Sequence, residues 1–575
     1  MTSAVYNRNK TESKDTTISI TDEEKALESN ATPKSTCRRK SLVRGVKEIW
    51  REFCANTSIH GFQYFGQQRP RKEIIFWIIV FVTSIYFCSS IILGIYVKWR
   101  ESPVIVTFSE RSTPVWKIPF PRVTICPENK RTMNGSRVPS FFQLVNSLRA
   151  YLQQGKEFQS NFTTTDLEDV LTLMQLCNVA TEVELPSFEH EVKDYIEIIN
   201  KLMPDISRYC FSGLWFGVEK SCDKLYTRIY TEDGVCFTFN GLLDHDLYRE
   251  HTIQYQRSLN SSLYHKVDMF QNLSLSWSLE QGYHDDGDLN TYPGRVLGSG
   301  AMAGFLSVLQ GFAEELDYSC RYVPDGFKVM LHSPDDVPTM GKHFVHVSMD
   351  KDVMIAVKPK MITPSAGIPA YTPHKRQCYL SKDRQLKFFK IYSRNNCELE
   401  CLTNFTYHRC GCVTFAMPRS AETPVCGADK LSCYRMANEK LLFQQFTQDW
   451  QSKRETSIGT LENCDCLPAC TSLDYETEIS EAVFHLENHL NAVGDYAGFR
   501  VKYPGMAMSV LWVYFKEPHF ITSRRSELYG VTDLLANFGG AFGLFMGFSL
   551  LSVVEICYHF TLRLWSNMGR HQIGV

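Results

Sequence analysis

Seven residues recur by threes and fours through an otherwise apolar stretch near the end of the chain: Asp533, Asn537, Gly540, Leu544, Gly547, Leu551 and Glu555. On an ideal helix, 22 residues at about 100° each return to within roughly 40° of the start, so the seven share one side. That side holds both ionisable side chains of Asp533–Glu555 and two glycines that bare the backbone. A charged residue inside a membrane-crossing segment faces a bundle interior or water rather than lipid. Water-facing polar groups beside exposed backbone are what an ion pathway needs. The competing reading is a packing helix, its glycines letting a neighbouring helix approach closely. Periodicity alone leaves both open.

The elements that would position this stripe are two apolar runs. The stretch from Val531 to Leu564 exceeds the ~20 residues a helix needs to cross a bilayer. Ile74–Val97 carries no charge and has Trp77, Tyr96 and Trp99 at its ends, as interfacial aromatics should. It lies too deep in the chain and is too long for a signal peptide. Arg38, Arg39, Lys40, Arg44, Lys47, Arg51, Arg69, Arg71 and Lys72 precede it, which places the N-terminus in the cytoplasm; Lys98 and Arg100 soften that bias. Two spans return the C-terminus, with Arg563 and Arg570, to the same side. The expected division is a cytoplasmic region 1–73 (disordered to about 45), a span 74–97, an extracellular domain 98–528, a span 529–562 and a tail 563–575.

A net charge of −2 and a mean hydropathy of −0.22 describe a chain that is mostly outside the bilayer, and no basic excess points to nucleic acid. Of 20 cysteines, Cys37 and Cys54 precede the first span, and Cys88 and Cys557 lie within spans. The other 16, Cys126 to Cys470, fall in the proposed ectodomain, where an even number reads as a disulfide framework. Clustered Cys near His408 could ligate zinc, but an oxidising exterior favours bridges. Sequons at Asn134, Asn161, Asn260, Asn272 and Asn404 fit an exported surface. Within the ectodomain, Val235–Asn240, Lys328–Leu331, His343–Ser348, Val501–Tyr503 and Met508–Phe515 predict strands. Phe141–Leu152, Asp166–Cys177 and Met436–Trp450 predict helices. The expected fold class is thus an α+β membrane protein, with two transmembrane helices around one large disulfide-rich domain.

An ordered set of motifs carries a resemblance. His60-Gly61, PFPRVTIC at Pro119–Cys126, GVCFTFN at Gly234–Asn240 and GFKVMLHSPDDVP at Gly326–Pro338 are similar to the degenerin/epithelial sodium channel family. So are RQCYL at Arg376–Leu380, CDCLPAC at Cys464–Cys470 and the triplet Gly547–Ser549. Cys177 and DYSCRY at Asp317–Tyr322 resemble the insect pickpocket branch. The resemblance covers about residues 55–560.

It implies a trimeric, sodium-favouring, amiloride-blocked cation channel, built as a homotrimer or with sister subunits in the plasma membrane, around an ectodomain with a β core. Sodium is the permeant species and no cofactor is implied. It assigns the selectivity filter to Gly547, Phe548 and Ser549, and pore-lining positions to Asn537, Gly540, Leu544 and Glu555. Gating positions fall on Ala536, His60 and Gly61, and blocker contact on Gly543. Asn537 stands where many relatives have aspartate, which weakens any inference about vestibule charge or blocker affinity. Glu555 faces the inner mouth or snorkels toward the cytoplasm; the sequence leaves both open.

The implied disulfides are Cys126–Cys236, Cys210–Cys222, Cys378–Cys470, Cys397–Cys466, Cys401–Cys464, Cys410–Cys433 and Cys412–Cys426, with Cys177–Cys320 left over. An ectoenzyme is the rival class, but no G-x-S-x-G or H-E-x-x-H occurs, and His485, Glu487 and His489 read as a solvated helix face or loop rather than a zinc site. A receptor or accessory subunit that does not conduct alone is the other alternative. The stimulus, whether chemical ligand or mechanical force, is not written in the sequence.

Overall fold

The computed structural model describes residues 49–66, 69–101, 104–130, 139–154, 164–177, 194–260, 273–284, 290–312, 315–320, 325–451, 464–494, 496–563 and 565–566. The N-terminal tail, Cys37 and the sequons at Asn134, Asn161 and Asn272 lie outside these residues. Two compact units divide the chain: Met1–Glu101 with Tyr529–Val575, and Ser102–Leu528.

The larger unit is built on strands, β1 Val104–Pro114, β2 Arg122–Pro127, β3 Cys210–Trp215, β4 Val218–Lys220, β5 Thr227–Thr231, β6 Gly234–Phe239, β7 Trp277–Ser278 and β8 Gly282–Tyr283. They continue as β9 Phe305–Phe312, β10 Phe327–His332, β11 Val345–Val347, β12 Lys351–Pro364, β13 Ser472–Val483, β14 Met506–Phe515 and β15 His519–Glu527. An eight-stranded sheet runs β1-β15-β12-β14-β9-β3-β4 with β13 also paired to β12, and a five-stranded sheet runs β11-β10-β2-β6-β5. β12 pairs antiparallel with β13 and parallel with β14.

Side-chain alternation explains the layers. Along β14, Met506, Met508, Leu511, Val513 and Phe515 are buried while the residues between them are mostly half-exposed. β2 and β6 are buried on both faces, as their near-continuous apolar runs require. Between the sheets, the Phe239 and Phe305 rings stack at 4.2 Å, and Phe120 meets Trp215 edge-on at 5.1 Å.

The predicted helices occur as Phe141–Gln154, Thr164–Leu176 and Leu431–Gln451. The last packs against Arg394–Cys410. That helix begins where the Ser393 side chain accepts from the Asn396 N–H and stops at Gly411 in the left-handed region. The strand expected at Val501–Tyr503 is absent. Those residues lie in and just after a helix, Tyr496–Lys502, because Phe499 and Tyr503 meet across one turn at 5.1 Å and outweigh a three-residue β-type run. Pro504 and Gly505 then end it, and β14 begins at Met506.

Among the described residues eight disulfides are present: Cys126–Cys236, Cys177–Cys320, Cys210–Cys222, Cys378–Cys470, Cys397–Cys466, Cys401–Cys464, Cys410–Cys433 and Cys412–Cys426. These are the pairs implied by the resemblance.

One buried acidic pair joins the sheet to the helix at Arg394. In the turn after β10, Asp335 and Asp336 are almost fully buried. Asn395 donates to Asp336 at 3.0 Å, and the Val337 N–H donates to the Asn396 side chain at 3.1 Å. Desolvation, with Asp335 next to it, pushes the Asp336 carboxyl up to about 7. The folded state therefore holds a proton that the unfolded state releases, so stability present at acid pH is lost as pH rises from about 4 through 7. Asp336→Asn keeps the acceptor for Asn395 without the charge. In thermal melts of the detergent-solubilised protein, this variant should gain about 2–4 kcal/mol over wild type at pH 8 and little at pH 4. Parallel pH curves for the two proteins would remove Asp336 as the cause.

Candidate functional site

Among its described residues the smaller unit holds one helix long and apolar enough to cross a membrane, Arg71–Glu101, and a second apolar element that is broken. The break divides Val531–Met546 from a helix that starts at Leu550, and the two axes differ by 66°. The sequence writes both the stop and the restart. Gly547 adopts a left-handed conformation (φ +62°), and its N–H donates to the Gly543 carbonyl at 2.9 Å. The Phe548 N–H reaches back to Phe542 at 3.3 Å, which completes a glycine C-cap. Ser549 then opens the next helix. Its hydroxyl accepts from the Ser552 N–H at 3.3 Å, while the Ser552 hydroxyl accepts from the Ser549 N–H at 3.1 Å.

A helix end leaves its last carbonyls without intrahelical partners. Two of these find donors elsewhere in the unit. The His60 N–H donates to the Met546 carbonyl at 2.8 Å, and the Ser84 hydroxyl of the long apolar helix donates to Phe545 at 2.6 Å. The His60–Gly61 pair therefore sits against the break itself, where a Cβ added at Gly547 would lie 2.7 Å from three atoms of the His60 ring. Gly61 is also left-handed, at φ +89°, which turns the segment beneath the half-helices.

The segment preceding His60 grips the downstream half. Residues 49–56 are helical, and Phe53, Cys54 and Ile59 form a small core against which Phe548 and Ile556 pack. The Phe548 side chain is thus an anchor. Glu555 is half-buried and accepts from the Ser58 N–H and hydroxyl, each at 3.1 Å. The Ser58 hydroxyl also lies 2.8 Å from that of Ser552. Arg563 pairs with Glu52 at 2.8 Å.

The expectation of one continuous face from Asp533 to Glu555 does not hold. Its geometry assumed an unbroken helix, and the 66° bend places Leu551 and Glu555 on a separate axis. Asn537, Gly540 and Leu544 keep their common side on the upstream half, with Ala536 and Gly543 beside it, all exposed in the single chain. A Cβ added at Gly539, Gly540 or Gly543 would meet nothing within 4 Å, so no neighbour within this chain requires those glycines. Asp533 accepts from the Gly530 N–H at 3.2 Å and so caps its own helix.

Ser84, Ser58 and Ser552 were not singled out by sequence reasoning. Ser84 and Ser552 carried a readable signal, a hydroxyl within an apolar run. In the larger unit, His485 precedes the helix Leu486–Val493, and no cluster of three metal-ligating side chains exists among the described residues.

The family described as amiloride-sensitive sodium channel matches residues 53–559. Pickpocket protein 28 of Drosophila melanogaster is 26% identical over 94% of this chain and 82% of its own length. The sodium channel protein Nach of the same fly is 24% identical over 92% and 89%. The human bile acid-sensitive ion channel is 22% identical over 90% and 87%.

Proposed function

From the fact that this chain belongs to the amiloride-sensitive sodium channel family, we propose that it is a pore-forming subunit of a trimeric, sodium-selective, amiloride-sensitive channel in the plasma membrane. Both termini are cytoplasmic, and a chemical ligand or mechanical force on the ectodomain opens the gate. The observation that carries this reading is the break at Gly547–Ser549 in an apolar element of spanning length. Irregular backbone at membrane depth is tolerated where it lines a water-filled path. The carbonyls of Gly547 and Phe548 are the ones we assign to a partly dehydrated sodium ion, because those of Phe545 and Met546 already have donors. Asn537, Gly540 and Leu544 line the outer path in this reading. Three upstream half-helices meeting there would explain glycines that nothing in one chain requires. Gly543 is the proposed blocker contact. Ser58 fixes Glu555 near the inner mouth, which favours a water-facing carboxylate over one free to snorkel.

The test is current from oocytes expressing the chain alone and with sister subunits, with each candidate stimulus applied in turn. A bulky replacement such as Ser549→Phe removes the hydroxyl that restarts the helix. It should abolish current or lower the sodium-to-potassium permeability ratio roughly tenfold, a loss of about 1.4 kcal/mol of discrimination. Unchanged reversal potentials in that variant, at normal surface level, would remove the triplet from the filter.

A further inference from the structure

We infer that the ectodomain contains a binding cavity for an organic anion with a flat apolar body, held by Arg249, Arg384 and Lys390. The cavity measures about 500 Å³ and lies between the β7–β8 hairpin and the chain from Tyr379 to Tyr392. That volume falls within the range of small-molecule sites. It belongs wholly to the larger unit, so the inference does not depend on the pore.

The three cations are held in place without being neutralised. Arg249 Nε donates to the carbonyls of Leu386 and Phe389 at 2.8 and 3.1 Å. Arg384 donates to the carbonyls of Cys464, at 2.9 Å, and Asp465, with its guanidinium over the Tyr379 ring. Lys390 donates to the His245 carbonyl at 2.8 Å and lies over the Tyr255 ring. None of them forms an ion pair with a carboxylate among the described residues. Carbonyls orient a guanidinium without cancelling its charge, which is the arrangement that recruits an anion, and the exposed Asp465 carboxylate beside Arg384 accepts from the Tyr379 hydroxyl at 2.6 Å.

Two carboxylates also line the space, and neither cancels this excess. Glu280 is exposed at the rim and accepts from the Ser381 N–H. Asp335 is buried, accepts from the Ser333 hydroxyl, and burial raises its affinity for a proton. The walls supply the apolar part: Trp277 is 4% exposed, and Leu386 and Tyr392 are buried, yet all three line the cavity. An aromatic wall beside fixed cations selects for charge at one end of a ligand and a flat surface at the other.

The experiment is titration calorimetry on the purified full-length protein in detergent, with 2-naphthalenesulfonate as probe and the neutral 2-naphthalenesulfonamide as control. Binding is read without current, so the outcome stands whether or not the chain conducts. The sulfonate should bind one per chain with a submillimolar Kd, and the sulfonamide about tenfold more weakly. Lys390→Gln, at an exposed site whose ammonium donates to the His245 carbonyl, should weaken the sulfonate about tenfold and leave the sulfonamide unchanged. Arg384→Gln should do the same, though its loss also frees the Cys464 and Asp465 carbonyls, so Lys390→Gln carries the test. Ser381→Trp, which fills the space from an exposed position, should weaken both probes. Equal affinity for the two probes, an unchanged sulfonate Kd in Lys390→Gln, or no heat from wild type at about 10 mM sulfonate would each overturn the assignment.

Discussion

Gly547→Val should abolish current from a protein that still assembles and reaches the cell surface. Two separate physical effects point the same way. At φ +62° an L-residue is strained by about 1–2 kcal/mol, and a β-branched side chain fares worse than alanine. The new Cβ would also lie 2.7 Å from the His60 ring, closer than side chains pack. Relief requires either the glycine cap to unwind or the His60 segment, whose backbone N–H serves the Met546 carbonyl, to shift. Either response displaces the two carbonyls assigned to sodium. Gly547→Ala carries the same Cβ contact and left-handed strain without the branched side chain. Pairing it with His60→Ala should recover part of the lost thermal stability, while the backbone strain remains. Wild-type current and reversal potential from Gly547→Val would show that the conformation at this residue is irrelevant to conduction.

Ala536→Phe should produce a constitutive, amiloride-sensitive sodium current, with Ala536→Val showing a smaller version of it. Ala536 lies one step before Asn537, on the exposed side of the upstream half-helix. In the proposed trimer the three copies converge there when the gate is shut. Added volume that tight packing cannot absorb costs roughly 1–3 kcal/mol. In that proposed arrangement only the closed state brings these positions together, so the cost falls on that state. About 2.7 kcal/mol shifts a closed-to-open ratio a hundredfold, enough for a channel nearly always shut to leak without its stimulus. Silence from both variants, at normal surface level and with partners co-expressed, would make Ala536 an ordinary surface residue of the helix.

How much of this was legible in the chain depends on the range of the interaction. Elements decided locally could be read. The strands at Gly234–Phe239, Phe327–His332 and Met506–Phe515 follow from β-branched and aromatic runs bounded by turn residues. A glycine followed by Phe-Ser-Leu-Leu-Ser within an apolar run signals a stop and a restart, although periodicity alone suggested an unbroken face. Val501 misled because a three-residue β-type run is weaker than one aromatic contact across a helical turn. What could not be read was closure over distance. Ser58 meets Glu555 across 497 residues, and nothing in either neighbourhood announces the other. His60 is similar. Alone it reads as a cap or turn, and only folding reveals that its N–H serves another helix's last carbonyl.

The five bridges between Cys378 and Cys470 also dictate an order of events at the ribosome. Cys412–Cys426 lies inside Cys410–Cys433, which lies inside Cys401–Cys464, then Cys397–Cys466, then Cys378–Cys470. A thiol cannot pair before its partner has been synthesised, so on the proposed topology the first of these cysteines to enter the oxidising lumen is the last to find its mate. The innermost pair spans only 14 residues, whereas Cys378 must stay reduced while 92 more emerge. At about 5–20 residues per second, that wait is roughly 5–18 seconds. During this interval Cys397, Cys401, Cys410 and Cys412 arrive as competing partners, each nearer than the correct one. Secretory-pathway maturation of this protein should therefore depend on disulfide isomerase, with premature closure of Cys378 onto Cys397 or Cys401 as the characteristic misfolded species.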